Sequence, residues 1–222
     1  MLYRPIFITA TNTDIGKTYA TLNLIDALGK RGLRVGVLKP VETGVVEFPL
    51  DGKLLLDAAK KTNPDLRDFT CEDIVPYQFT LPAAPYVSKD RENIDAKVLR
   101  VTFEKIAKVS DIVLIEGAGG LMVPIEKDLY MYDLIDLFDT KVLLISHSKL
   151  GCINDTLLNI NFLDSLKIEY EWCVNLRDKE EFREKTLPFY KDKFSKVLTL
   201  QNDLEEIVER LVVHADTESD PI

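Results

Sequence analysis

Short apolar runs recur along the chain, most of them separated by segments whose apolar residues return every three to four positions. The runs at residues 6–9, 35–38, 112–115, 142–146, 172–174 and 196–200 are short and rich in β-branched and aromatic residues, which predicts strands. Between them the helical period predicts helices at 18–28, 96–108, 131–138, 153–166 and 204–213. Strands alternating with helices imply βαβ units. The expected fold is therefore α/β: a mostly parallel β-sheet flanked by helices on both faces. Residues 45–85 break the rhythm, with several prolines and one short helical pattern at 54–60, and long excursions of that kind are often functional. No repeat or internal boundary is visible, so residues 1–214 read as a single domain. The end at 215–222, mostly polar, is expected to fray.

Composition narrows the classes. A chain of 222 residues suffices for one α/β core and is short for two. No apolar stretch approaches the roughly 20 residues of a membrane helix. The start, MLYRPIFITA, lacks the length and small-residue cleavage site of a signal peptide, so a cytoplasmic protein is expected. Net charge is −9 and no basic stripe is visible, which argues against nucleic acid as the partner. Cys71, Cys152 and Cys173 lie far apart without C-x-x-C spacing, and the histidines are only His147 and His214. Zinc and disulfide readings fail, leaving reduced thiols. His147, between two serines, reads as structural or solvent-facing.

Three strand ends carry chemistry. After the first strand, Gly16-Lys17-Thr18 opens a helix, the context of a phosphate-binding P-loop. There Gly16 admits backbone to the phosphates, Lys17 reaches their oxygens and the Thr18 hydroxyl can hold Mg²⁺. The usual first glycine of the motif is replaced by Ala10, with five residues rather than four before Gly16, and a plain helix start with a solvated lysine also fits. The second strand runs into Lys39-Pro40-Val41-Glu42-Thr43-Gly44. Alone, Lys39 reads as a surface lysine; beside a P-loop it can neutralise charge during phosphoryl transfer. The third ends Glu116-Gly117-Ala118-Gly119-Gly120, either a glycine turn or a Walker-B acid placed for Mg²⁺.

Taken together, T-x-T-D-x-G-K-T at 11–18, K-P-V-E-T-G at 39–44, V-x-x-E-G-A-G-G at 113–120 and K-L-G-C-I-N at 149–154 resemble the dethiobiotin synthetases. The resemblance spans residues 5 to about 176 and implies a P-loop NTPase fold and a homodimer. It also implies a Mg²⁺-dependent ligase of biotin biosynthesis that uses ATP, CO₂ and 7,8-diaminopelargonic acid. By the same resemblance, Lys39 and Lys17 are catalytic. Asp14, Ile15, Gly16, Lys17, Thr18, Tyr19, Asp51, Glu116, Gly117, Ala118, Gly119 and Asn175 hold the nucleotide, with Asn175 at adenine. Thr18, Asp51 and Glu116 hold the metal, Asp51 fitting the family pattern better than Asp57. Thr11, Lys39 and Thr43 meet the diamine. Gly151, Cys152 and Asn154 of the partner subunit receive its carboxylate, although Asn154 as an ordinary helix cap would read the same. After Asn175 the chain is short and no family base-binding loop is evident near 196–201.

Other classes fit less well. Partition and septum-site ATPase switches share this fold but carry an extra lysine near the loop start, where this chain has Ala10, Thr11 and Asn12. A nonenzymatic regulatory domain would lose phosphate-loop residues that are present here. Nothing resembles the arginine-bearing lid of a small-molecule kinase.

Overall fold

The computed structural model describes residues 1–214; residues 215–222, expected to fray, lie outside the described residues. The strands are β1 (Ile6–Ala10), β2 (Val35–Leu38), β3 (Val41–Thr43), β4 (Tyr77–Phe79), β5 (Ile112–Glu116), β6 (Pro124–Glu126), β7 (Leu129–Tyr130), β8 (Lys141–His147) and β9 (Tyr170–Asn175). The helices are α1 (Lys17–Lys30), α2 (Leu50–Thr62), α3 (Pro85–Ser88), α4 (Ala96–Ala107), α5 (Asp133–Leu137), α6 (Cys152–Ser165), α7 (Lys179–Lys185), α8 (Leu187–Lys193) and α9 (Leu204–Leu211).

Five strands form one parallel sheet in the order β2-β5-β1-β8-β9. Every residue of β1, β2 and β5 is buried, as expected of strands covered on both faces. Helix α1 packs against β1, β2 and β5 with α2 and α9 as neighbours; α4 lies on β2 and β5, and α6 on β8. From β1 the chain builds first toward β2 and β5, then crosses to β8 and β9. That reversal opens a crevice at the carboxyl end of β1, where ligands of such sheets gather.

Two expectations are corrected. Residues 196–200 do not form a strand: only Thr199 bridges to Val174, with hydrogen bonds from Val174 N–H to Leu198 O and from Leu200 N–H to Val174 O. The outward N–H of Thr199 is taken by Asp203 Oδ2 at 2.8 Å, and the chain turns into α9 before pairing can extend. The excursion at 45–85 is more ordered than its prolines suggested. It contains the 13-residue α2, a 3-10 turn at Pro64–Leu66 and β4, which pairs with β3 in a separate two-stranded ribbon. Helices α7 and α8, unmarked by periodicity, pack Phe182 and Tyr190 with Cys152 and Val174 into a second small core at the β9 edge.

Candidate active site

The loop from β1 to α1 turns through two left-handed residues, Asp14 (φ 59°) and Gly16 (φ 105°). Gly16 is required here twice over. Its φ suits glycine, and a Cβ would lie 2.3 Å from Asn175 Nδ2. The turn lets α1 begin at Lys17, so Thr18 and Thr21, three residues apart, share the face toward β5. Glu116, at the end of β5, is fully buried and is met from that face: Thr18 Oγ1 donates to its Oε1 at 3.0 Å, and the Thr21 hydroxyl lies 2.8 Å from its Oε2.

Lys39 completes the cluster. Its ammonium, 3% exposed, donates to Glu116 Oε1 at 2.6 Å, Asp51 Oδ2 at 3.2 Å and the Gly117 carbonyl at 3.4 Å. Each of its three protons thus has an acceptor. Burial works against the charge, but attraction to Glu116 and Asp51 prevails and holds the Lys39 pKa above its ordinary value. Lys17 differs. Burial, then repulsion by Lys39, lower its pKa to about 8, and among the described residues its ammonium has one hydrogen bond, at 3.4 Å to the Asn12 carbonyl.

A cavity of about 420 Å³ opens among these groups, lined by Lys17, Thr18, Lys39, Thr43, Asp51 and Ala118 with Gly16 and Gly119. Two lysines and the amides at the start of α1 suit it to a polyphosphate. Among the described residues no three His, Cys, Asp or Glu side chains could hold a metal ion unaided. The donor set of Glu116, Asp51 and the Thr18 hydroxyl still fits Mg²⁺, which takes one or two carboxylates and draws further oxygens from substrate phosphates. The Lys39 ammonium bridging both carboxylates marks the same spot as one that attracts positive charge.

Other residues singled out from sequence fall at graded distances from this cavity. Asp14 lines it, and Gly117 abuts it through its carbonyl. Asp57 sits six residues further along α2, tied to Lys53 on an exposed face, whereas Asp51 meets Lys39. Thr11 is not among the lining residues, and its Oγ1 is buried without a hydrogen bond among the described residues. Tyr19 is half exposed on α1. Asn175 packs on the loop: its Nδ2 donates to Ile15 O at 2.7 Å, and its Oδ1 accepts from Gln201 Nε2 at 2.7 Å. Gly151 (φ 97°) and Asn154 are exposed at the start of α6, away from the cavity, while the Cys152 side chain is buried in the second core. The cap of α6 is Gly151, not Asn154, which lies within the first turn and bonds Asp155. His147 pairs with Asp155 at 3.0 Å, its Nδ1 is buried without a hydrogen bond among the described residues, and it lines a neighbouring cavity with Asn12, Asp14 and Ile15 of the phosphate loop.

Sequence reasoning missed Thr21, Glu42 and Arg177. Thr21 follows Thr18 by three residues, a spacing that could have revealed it. Arg177, two residues beyond β9, donates to the Asp14 carbonyl at 2.5 Å and also lines the cavity; no pattern marked it.

Comparison with known proteins follows the same lines. The family described as AAA domain matches residues 4–182. The chain is 46% identical to an ATP-dependent dethiobiotin synthetase of Sulfurovum sp. over 83% of its length and 89% of the relative's. It is 35% identical to that of Wolinella succinogenes, covering 94% and 98%. Among solved structures, a putative plasmid partition protein of Borrelia burgdorferi bound to AMPPNP superposes with a TM-score of 0.56 at 14% identity, covering 95% and 97% of the two chains. The cell division protein MinD of Aquifex aeolicus gives 0.52 at 21%, covering 93% and 86%. These structural likenesses establish the shared P-loop fold.

Proposed function

This chain belongs to the ATP-dependent dethiobiotin synthetases, ligases of biotin biosynthesis, and from that premise we propose how its own residues perform the reaction. The substrates are 7,8-diaminopelargonic acid, CO₂ and ATP. One amine attacks CO₂ and loses a proton, giving a carbamate. A carbamate oxygen takes the γ-phosphoryl group and ADP leaves. The second amine then attacks the activated carbonyl, expelling phosphate and closing the ureido ring.

The observation that carries this reading is the Lys39 ammonium held between Glu116 and Asp51 at the wall of the cavity beside the phosphate loop. A fixed cation there steadies the carbamate and the transferring phosphoryl without reorganisation. Lys17, with Asp14, Ile15, Gly16, Thr18 and Tyr19, wraps the ATP phosphates; Gly117, Ala118 and Gly119 form the opposite wall. Thr18, Asp51 and Glu116 would hold Mg²⁺. The chemistry supplied by bound Mg²⁺ is neutralisation of phosphate charge. Thr11, with its unpartnered buried hydroxyl, and Thr43 meet the diamine. Asn175 faces adenine, oriented by Gln201. In a homodimer of these single domains (residues 1–214), Gly151 and Asn154 of the partner subunit, with the Cys152 backbone, receive the substrate carboxylate. We place the enzyme in the cytoplasm; among the described residues no helix is long and apolar enough to cross a membrane.

The test is phosphate release from ATP in bicarbonate, with and without 7,8-diaminopelargonic acid. Diamine-dependent release with dethiobiotin detected by mass supports the scheme; release indifferent to the diamine overturns it.

A further inference from the structure

Glu42 is the acid of the Lys39–Gly44 turn to which the reaction assigns nothing. It lies on β3, 6% exposed, against the start of α2. That helix has Pro49 as its N-cap, and no side chain at the cap position accepts from its first amides. Those amides are donors without an intrahelical partner. Glu42 accepts from two of them: Oε1 from the Asp51 N–H at 2.9 Å and Oε2 from the Gly52 N–H at 2.8 Å. Its charge also complements the positive end of the helix. The approach is close from the other side too, since a Cβ on Gly52 would lie 2.2 Å from Val75 Cγ2 and 3.3 Å from Glu42 Oε2. The first turn of α2 is thus clamped between Glu42 and Val75. Asp51, in that turn, reaches Lys39 from the clamped backbone.

We propose that Glu42 is a positioning residue for this enzyme: by capping α2 from β3 it sets the Asp51 carboxylate in register with Lys39, Thr18 and Glu116. This rests on the reading of Asp51 as a metal-holding residue. Both carboxylate oxygens are needed. In Glu42→Gln one acceptor becomes an NH₂ facing a backbone N–H, so one of the two bonds is lost and Asp51 loses its fixed position. Glu42→Asp keeps both oxygens on an arm one methylene shorter and serves as the milder variant.

The readout is binding of Mn²⁺ to the full chain with a non-hydrolysable ATP analogue, followed by loss of the free Mn²⁺ resonance. Glu42→Gln is expected to raise half-saturating Mn²⁺ about tenfold, the equivalent of one lost bond to a charged group. Glu42→Asp should fall between it and the wild type, and analogue affinity at saturating Mn²⁺ should change less than about twofold. Asp95→Ala removes a cap on α4, remote from the site, and should lower melting temperature without moving the Mn²⁺ titration. A Glu42→Gln titration superimposing on wild type, or an equal shift in Asp95→Ala, overturns the assignment. Asp51→Asn separates the premises. If it moves the titration while Glu42→Gln does not, the Glu42 inference alone fails. If Asp51→Asn leaves the titration unmoved, the metal reading fails and the inference falls with it.

Discussion

The carboxyl ends of β1, β2 and β5 and the far edge formed by β9, α7 and α8 are built on opposite principles. At the first, three buried or half-buried charges and two hydroxyls converge from segments 77 to 98 residues apart, and little but polar bonding holds them in place. At the second, Tyr190 is fully buried with its ring among Trp172, Phe182 and Phe194, and polar contact is limited to a few capped groups. One region concentrates charge where a reaction needs it; the other buries apolar side chains in a small core of its own. The Asn175–Ile15 and Arg177–Asp14 bonds join them, so the edge also braces the phosphate loop.

If that division holds, Lys39→Ala should lower turnover by about a thousandfold, the scale seen when a group aimed at developing charge is removed, while the circular dichroism spectrum stays native. Turnover within tenfold of wild type would erase the distinction. On the other side, Tyr190→Ala should cost about 3–5 kcal/mol of stability by chemical denaturation and leave the KM for ATP within a few fold. Tyr190→Phe should cost less, about 1–2 kcal/mol, because it removes only the bonds to Thr156 Oγ1 and the Cys152 carbonyl.

Lys17 sharpens the comparison through pH. Its folded pKa is lowered to about 8 from 10.5, so between those values the unfolded chain binds the extra proton. Its contribution to stability therefore rises with pH across that window, by an amount on the order of 3 kcal/mol. Denaturation midpoints of wild type and Lys17→Met should converge or cross as pH climbs from 8 to 10.5; parallel profiles would show that burial does not strain this lysine. The smallest expected effect is at the junction. Gln201→Ala frees Asn175 Oδ1 and should raise the KM for ATP about threefold to tenfold with kcat unchanged, as loss of one neutral hydrogen bond implies.

The legibility of the two regions differs in the same way. Gly16, Lys17, Thr18, Lys39 and Glu116 stood out in the sequence because phosphate chemistry demands those residue types at strand ends, and β1, β2 and β5 because strands buried on both faces must be apolar throughout. The far edge left weaker signals. Helices α7 and α8 are seven residues each, two turns, too short for a 3.6-residue period to register. The run at 196–200 has strand-like composition, yet Asp203 and the turn into α9 stop it after one pair.

Local pattern and motif chemistry were enough to determine the α/β class, the phosphate loop and the family, since each depends on residues close together in the chain. Only the tertiary structure decided that Asp51 rather than Asp57 meets Lys39, that Thr21 backs Glu116, and that Glu42 caps a helix beginning eight residues later. Those are distances between segments that sequence leaves free, and they are set by how far α1 and α2 sink onto the sheet, to a depth that Gly52 permits beside Val75.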